Sequence, residues 1–169
     1  MTVLARATES AVLEQPQDLH GQYLDCLNLV ERLHRQLLDV IKDELDRRGE
    51  REVNSVQALL LFNIGGQELT AGELRTRGHY LGSNVSYNLK KLVKAGFLHH
   101  QRSRTDRRSV HVKLTEKGKR IQEMVKHLFH RHLESLEAVG NVTYGDLDTL
   151  NTSLRRLERF WLDQVRYRL

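Results

Sequence analysis

The stretch "RSRTDRR" places four guanidinium groups, Arg102, Arg104, Arg107 and Arg108, around a single carboxylate, Asp106, and Lys113 follows as a fifth cation. Arginine stays charged at any physiological pH, and its planar fork matches the oxygens of a phosphate. The chemistry open to such a cluster is neutralisation of a polyanion. A second set of polar groups lies just upstream, in "GSNVSYNLKKLV". There Ser83, Asn84 and Ser86 can bond the edges of bases. Tyr87 can bond phosphate or pack on sugar, and Lys90 and Lys91 can neutralise phosphate.

The net charge of +5 conceals how unevenly charge is distributed. Residues 75–120 carry 13 Lys and Arg against 2 Asp and Glu, a net of +11. Residues 1–50 are at −4, residues 51–74 at −2, and residues 121–169 balance at 7 against 7. One central segment therefore has the electrostatic footprint expected of a polyanion-binding surface. A solvated basic face is the plainer alternative, and charge alone does not choose between them.

The elements that must position these groups can be read from periodicity. Residues 1–17 read as a loose tail ending near the single proline, Pro16. From about Asp18 to Arg48, apolar residues recur at Leu27, Val30, Leu33, Leu37, Val40, Ile41 and Leu45, a helical spacing, and Gly49 is the natural stop. Such a helix extends about 45 Å at 1.5 Å per residue. A domain this small cannot cover that whole stripe, so the helix is expected to meet another chain. A second helix starts at Asn54 or Ser55 as cap, carries Val56, Leu59, Leu60 and Phe62, and breaks at "IGGQ". "TAGE" fits a capping box, Thr70 with Glu73, opening a short helix that stops near Arg77–Gly78.

The next helix is expected from about Gly82 to Ala95, burying Val85, Leu89, Leu92 and Val93 and stopping at Gly96. Its opposite face then presents Ser83, Asn84, Ser86, Tyr87, Lys90 and Lys91. "FLHHQ" and "SVHVKL" switch to a period of two, which predicts a strand pair with "RSRTDRR" at its tip. Thr115 caps a helix running to about Val139. Thr143 with Asp146 opens a last helix with a stripe of Leu147, Leu150, Leu154, Leu157, Trp161 and Val165, either core or a seam for a partner helix.

Helix, short helix, tight turn, helix and two-stranded ribbon make a helix-turn-helix with a β-wing. A helix fits the major groove, and the arginine tip of a wing is placed to reach a neighbouring minor groove. Residues 53–120 resemble the DNA-binding core of the MarR family of bacterial winged-helix regulators. The matching pieces are "VQALLLFNI", "LTAGELR", "NVSYNLKKLVKAGFLHHQ" and "TDRRSVHVKLTEKGK". The most specific are the "KAGFL" junction, the Asp-Arg-Arg of the wing and the "LTEKG" after it. The turn before the reading helix departs from the family's apolar residue followed by glycine and reads Gly78-His79-Tyr80-Leu81-Gly82.

The resemblance implies a mainly α chain with a small two-stranded β-wing. Its parts would be a flexible tail (1–17), a dimerisation helix (18–52), a winged helix-turn-helix domain (53–120) and C-terminal dimerisation helices (121–169). It implies a homodimer on double-stranded DNA with a pseudo-palindromic operator. Asp106 would brace a nearby arginine, with Arg108 or its neighbours facing the minor groove. It also implies a small aromatic or anionic effector held in a cleft. The residues placed to line that cleft are Leu33, His34, Leu37, Leu59, Phe62 and Tyr80, all of types that are more often core.

Other residue classes carry weaker signals. Cys26 lies in "YLDCLNL" and reads as an ordinary helix cysteine; a redox-sensing regulator acting through Cys26 remains an alternative. Nine histidines are present. Neither His127, His130 and His132 nor His99, His100 and His111 come with a ligand constellation, so no metal and no cofactor is expected. No phosphate loop or nucleophile motif appears, which argues against an enzyme. A helical interaction module whose basic wing meets an acidic protein or membrane surface is the remaining alternative. No apolar run reaches membrane-spanning length, no signal-peptide core is visible, and a single cysteine makes no internal disulfide, so the expected compartment is the cytoplasm.

Overall fold

The computed structural model describes residues 18–67, 69–70, 73, 82–102 and 110–167. For Ser83, Gln101, Arg102 and Val110 the description covers the backbone alone. The elements in chain order are α1 (Leu19–Arg47), α2 (Ser55–Ile64), β1 (Leu69–Thr70), α3 (Gly82–Lys94), β2 (Leu98–Arg102), β3 (Val110–Leu114), α4 (Glu116–Leu136) and α5 (Tyr144–Tyr167).

The chain divides into two units after Leu37. In the first, the described residues form the N-terminal part of α1. Tyr23, Leu24, Leu29, Val30 and Leu33 are exposed there, and Cys26 is half-buried with its thiol free.

The second unit holds the core. Its centre is α2, whose sequence "SVQALLLFNI" is apolar on every side, the pattern of a helix covered all round. Ala58, Leu60, Leu61 and Ile64 are buried, and α4 packs along α2 with Ile121, Met124, Val125 and Leu128. The Phe62 and Phe129 rings meet edge to face, centroids 5.0 Å apart, the orientation that aromatic quadrupoles favour. Ile41 and Leu45 from the end of α1, Val85, Leu89 and Leu92 from α3, and Phe97, Leu98, Val112 and Leu114 complete the core. Val93, expected among them, is half-buried.

One buried acid accompanies this core. Glu44 is 3% exposed and is ringed by Arg48 at 2.7 Å, Arg131 at 2.8 Å and Arg47 at 3.3 Å. Burial pushes its carboxyl up. The Arg48 hydrogen bond and the charges of Arg131, Arg48 and Arg47 outweigh that and hold it below the ordinary glutamate range. The pair with Arg131 fastens the end of α1 to α4.

Helix ends follow local chemistry. Asn54 is the cap of α2: its Oδ1 accepts from the Gln57 N–H at 2.9 Å, while Gln57 Oε1 accepts from the Asn54 N–H at 3.1 Å, a complete capping box. Glu73 and Thr70 exchange the bonds expected of "TAGE"; the helix predicted to follow lies outside the described residues. Thr143 and Asp146 do the same at the start of α5. There the two hydrogen bonds from Thr143 hold the Asp146 carboxyl below its usual range. The fourth helix ends at Leu136, earlier than the predicted Val139. Asn141 adopts a positive φ of 51°, a conformation asparagine tolerates, and the Val142 N–H turns back to the Leu136 carbonyl.

The sheet departs from the expected two-stranded ribbon. It has three antiparallel strands in the order β1-β3-β2, because Leu69 and Thr70 pair with Val112 and His111. A two-residue strand has no periodicity to read. Leu69 is buried, and its strand partner Val112 lies more than forty residues away. In the main pair, Leu98 lies opposite Leu114 and His99 opposite Lys113.

Candidate nucleic-acid interface

Helix α3 is built to show one face. Val85, Leu89 and Leu92, spaced by four and three, are buried, while Asn84, Ser86, Tyr87, Lys90 and Lys91 are exposed. The structure thus brings five of the six residues singled out on this helix onto one exposed surface. Ser83 belongs to the same first turn. The Lys91 ammonium lies 4.6 Å from the Tyr87 ring centroid. This cation–π contact keeps the two side chains side by side on the open face.

The carboxyl end of α3 is fastened by the segment after the wing. The chain reverses at Gly96, whose φ of +77° suits glycine, and the Phe97 N–H returns to the Leu92 carbonyl at 2.9 Å. Thr115 Oγ1 donates to the Gly96 carbonyl at 2.7 Å, and the Thr115 N–H donates to the Phe97 carbonyl at 3.1 Å. Lys117 reaches across to the Ala95 carbonyl at 3.1 Å and to Glu52 at 2.6 Å, with its ammonium 4.3 Å from the Phe97 ring centroid. A Cβ on Gly118 would overlap the Phe97 carbonyl, so this approach needs glycine. "KAGFL" and "LTEKG" are thus two halves of one joint, which sets where α3 ends and the wing begins.

The middle of α3 is tied to α2. Gln57, 6% exposed, donates from Nε2 to Asn88 Oδ1 at 3.2 Å, and Asn88 Nδ2 donates to the Asn84 carbonyl at 2.9 Å.

Sequence reading did not single out Gln57, Asn88 or Lys117. The signal for Gln57 was present as the N-x-x-Q spacing of a capping box. Asn88, lying between exposed Tyr87 and buried Leu89, carries no local sign of its partner 31 residues away.

The arginine-rich tip lies mostly outside the described residues. Arg104, Asp106, Arg107 and Arg108 fall there, and so does the brace assigned to Asp106. The backbone of Arg102 pairs with Val110 in the β2–β3 ladder. On the outer face of the sheet, His99 and Lys113 are exposed beside each other.

Of the effector-lining candidates, Leu33 and His34 are exposed and Leu37 is half-buried, all on the first unit. Leu59 and Phe62 are half-buried on α2, Phe62 being engaged by Phe129. Tyr80 lies outside the described residues. Among the described residues no group of three His, Cys, Asp or Glu side chains is arranged to hold a metal ion. No described helix is long and apolar enough to cross a membrane.

Comparison with known proteins agrees with this geometry. The winged helix DNA-binding domain family matches residues 53–118. The exopolysaccharide II synthesis transcriptional activator ExpG of Rhizobium meliloti is 33% identical over 145 residues, 86% of this chain and 74% of that protein. Among solved structures, a mutant MarR from E. coli complexed with operator DNA superposes with a TM-score of 0.64 at 22% identity, covering 83% of this chain and 99% of that one. FabT from Streptococcus pneumoniae in complex with DNA gives 0.60 at 22% identity, covering 83% and 98%. The matched relatives are regulators of transcription, not enzymes. With the winged-helix order in place and a transcriptional activator matched over most of its length, the chain belongs to the MarR family of winged-helix transcriptional regulators.

Proposed function

We propose that the protein works in the cytoplasm as a homodimer that inserts two copies of α3 into successive major grooves of a pseudo-palindromic operator. The observation that carries this reading is the exposed row of Asn84, Ser86, Tyr87, Lys90 and Lys91 opposite buried Val85, Leu89 and Leu92. Ser83, Asn84 and Ser86 meet base edges, and Tyr87 meets sugar and phosphate. Lys90 and Lys91 neutralise phosphate. Arg102, Arg104, Arg107 and Arg108 carry the wing into the flanking backbone or minor groove, with Asp106 holding one of them in place. Two structural relatives, each in complex with DNA, support this use of the fold.

Segments 18–52 and 121–169 serve as the dimer arms of this reading. Helix α5 has no buried residue in the single chain, although its sequence repeats Leu147, Leu150, Leu154, Leu157, Trp161 and Val165. A second copy covers that stripe in the same way that a partner helix fills a seam. Half-sites must lie about one DNA turn apart. An effector that shifts the arms therefore changes operator affinity by changing the spacing of the two α3 helices.

The test is selection of a binding site from random duplex DNA, followed by affinity measurement on the selected and scrambled duplexes. A symmetric consensus with affinity that falls steeply with salt is expected. Equal affinity for the two duplexes would refute sequence-specific regulation and favour a general basic interaction surface.

A further inference from the structure

The capping box of α2 and the first turn of α3 are joined by a one-way chain of hydrogen bonds. It begins at the Asn54 N–H, which donates to Gln57 Oε1 at 3.1 Å. Gln57 Nε2 donates to Asn88 Oδ1 at 3.2 Å, and Asn88 Nδ2 donates to the Asn84 carbonyl at 2.9 Å. Both ends are backbone groups with fixed character, a donor at Asn54 and an acceptor at Asn84. The two side-chain amides between them therefore have one orientation each. Turning either amide over sets donor against donor at one link and acceptor against acceptor at another. Gln57 is buried, so a broken link there is not readily repaired by water.

The far end of this chain is the turn that carries the candidate base-reading side chains, Ser83, Asn84, Ser86 and Tyr87. Base readout demands donor–acceptor distances of about 2.7–3.2 Å, so small displacements of that turn change which base is preferred. Contacts to phosphate tolerate more, because charge attraction falls off gradually with distance.

We propose that Gln57 and Asn88 are positioning residues for sequence reading: they hold α3 at Asn88, one turn beyond Asn84, against the N-terminus of α2, and so set specificity without touching DNA. The inference rests on α3 being the reading helix. It separates two quantities that a stability defect would move together, affinity for the preferred site and affinity for arbitrary DNA.

Two variants test it. Gln57→Glu keeps an oxygen for the Asn54 N–H, and so keeps the cap, but replaces the donor to Asn88 with an acceptor. Asn88→Leu removes the relay with a neutral side chain of similar size at a half-buried position. Wild type first selects a site from random duplex DNA. Affinities for the selected duplex and for a scrambled duplex of equal length are then compared for all three proteins. The expected result is a ratio of selected to scrambled affinity reduced about fivefold to tenfold in each folded variant, the size of one lost hydrogen bond. The salt slope on scrambled DNA is expected to stay at the wild-type value. A ratio equal to wild type, including a parallel fall of both affinities, overturns the inference while leaving DNA reading intact. Failure of the wild type to select any site overturns DNA reading itself, and the inference with it. Should Gln57→Glu not fold, Asn88→Leu decides alone, since the capping box does not depend on it.

Discussion

The hydroxyl of Thr115 serves two helices at once. It donates to the Gly96 carbonyl at 2.7 Å, closing the end of α3, and accepts from the Gly118 N–H at 3.1 Å, opening α4. Thr115→Val removes both bonds with little change of shape. Unfolding in urea is expected to show a loss of about 1–2 kcal/mol, the usual cost of losing an N-cap. Thr115→Ser, which keeps the hydroxyl, should stay near wild type.

Gly118 supports the same joint sterically. An alanine there drives its Cβ into the Phe97 carbonyl, which belongs to backbone and cannot swing away. Gly118→Ala is expected to cost about 1–3 kcal/mol, as overpacking does. Gly66→Ala is the control, since its added Cβ meets nothing within 4 Å. Thermal melts of the two variants side by side give the comparison.

Glu44 makes stability depend on pH in a definite direction. Its carboxyl is held below the ordinary value in the folded chain by Arg48, Arg131 and Arg47 against the opposing effect of burial. The unfolded chain therefore binds a proton more readily than the folded one. The stabilisation is complete above the unfolded value near 4.3 and is lost as pH falls through the lower folded value. Glu44→Gln should flatten the stability profile below about pH 5. At neutral pH it should cost about 1–3 kcal/mol, because half-exposed Arg131, Arg47 and Arg48 can be rehydrated. Denaturant unfolding at pH 3.5 to 7 gives the profile; an acid limb that Glu44→Gln leaves unaltered would place its origin elsewhere.

On DNA, the residues of α3 and the wing should divide by role. Lys90→Ala is expected to weaken selected and scrambled duplexes alike and to reduce the salt slope by about one. Asn84→Ala should lower the preference for the selected duplex by about 1–3 kcal/mol per half-site. Arg108→Ala should weaken operator binding with no change in dimer mass. Fluorescence anisotropy across a salt series distinguishes these outcomes, and unaltered affinity in Arg108→Ala would remove the wing from the interface.

The arm helices yield a prediction about mass. Leu150→Asp with Leu154→Asp places two charges on a stripe that nothing in the single chain buries. The expected outcome is a monomer by sedimentation that keeps its helical circular dichroism. A variant that remains dimeric would exclude this stripe as the seam.

Much of the architecture was legible because it is written in local periods. The three-four spacing of Val85, Leu89 and Leu92 determines which face of α3 turns inward, and therefore that Asn84, Tyr87, Lys90 and Lys91 turn outward. Alternation at Val112 and Leu114 marks a strand with one buried face. Capping pairs such as Thr70 with Glu73 and Thr143 with Asp146 are contained within four residues. The strong charge of residues 75–120 needs no fold to be read.

Tertiary structure decided what depends on partners distant in sequence. β1 exists because Leu69 finds Val112; two residues carry no period of their own. Glu44, which in sequence is one more charge on a long helix, is buried because Arg131 comes from 87 positions away to meet it. "KAGFL" and "LTEKG" are recognisable as motifs from sequence, but folding alone shows that they touch, through Thr115, Lys117 and Gly118. Gln57 and Asn88 follow the same rule. A side-chain amide has donors and acceptors whatever its sequence context, and only packing two helices together chooses which group answers which.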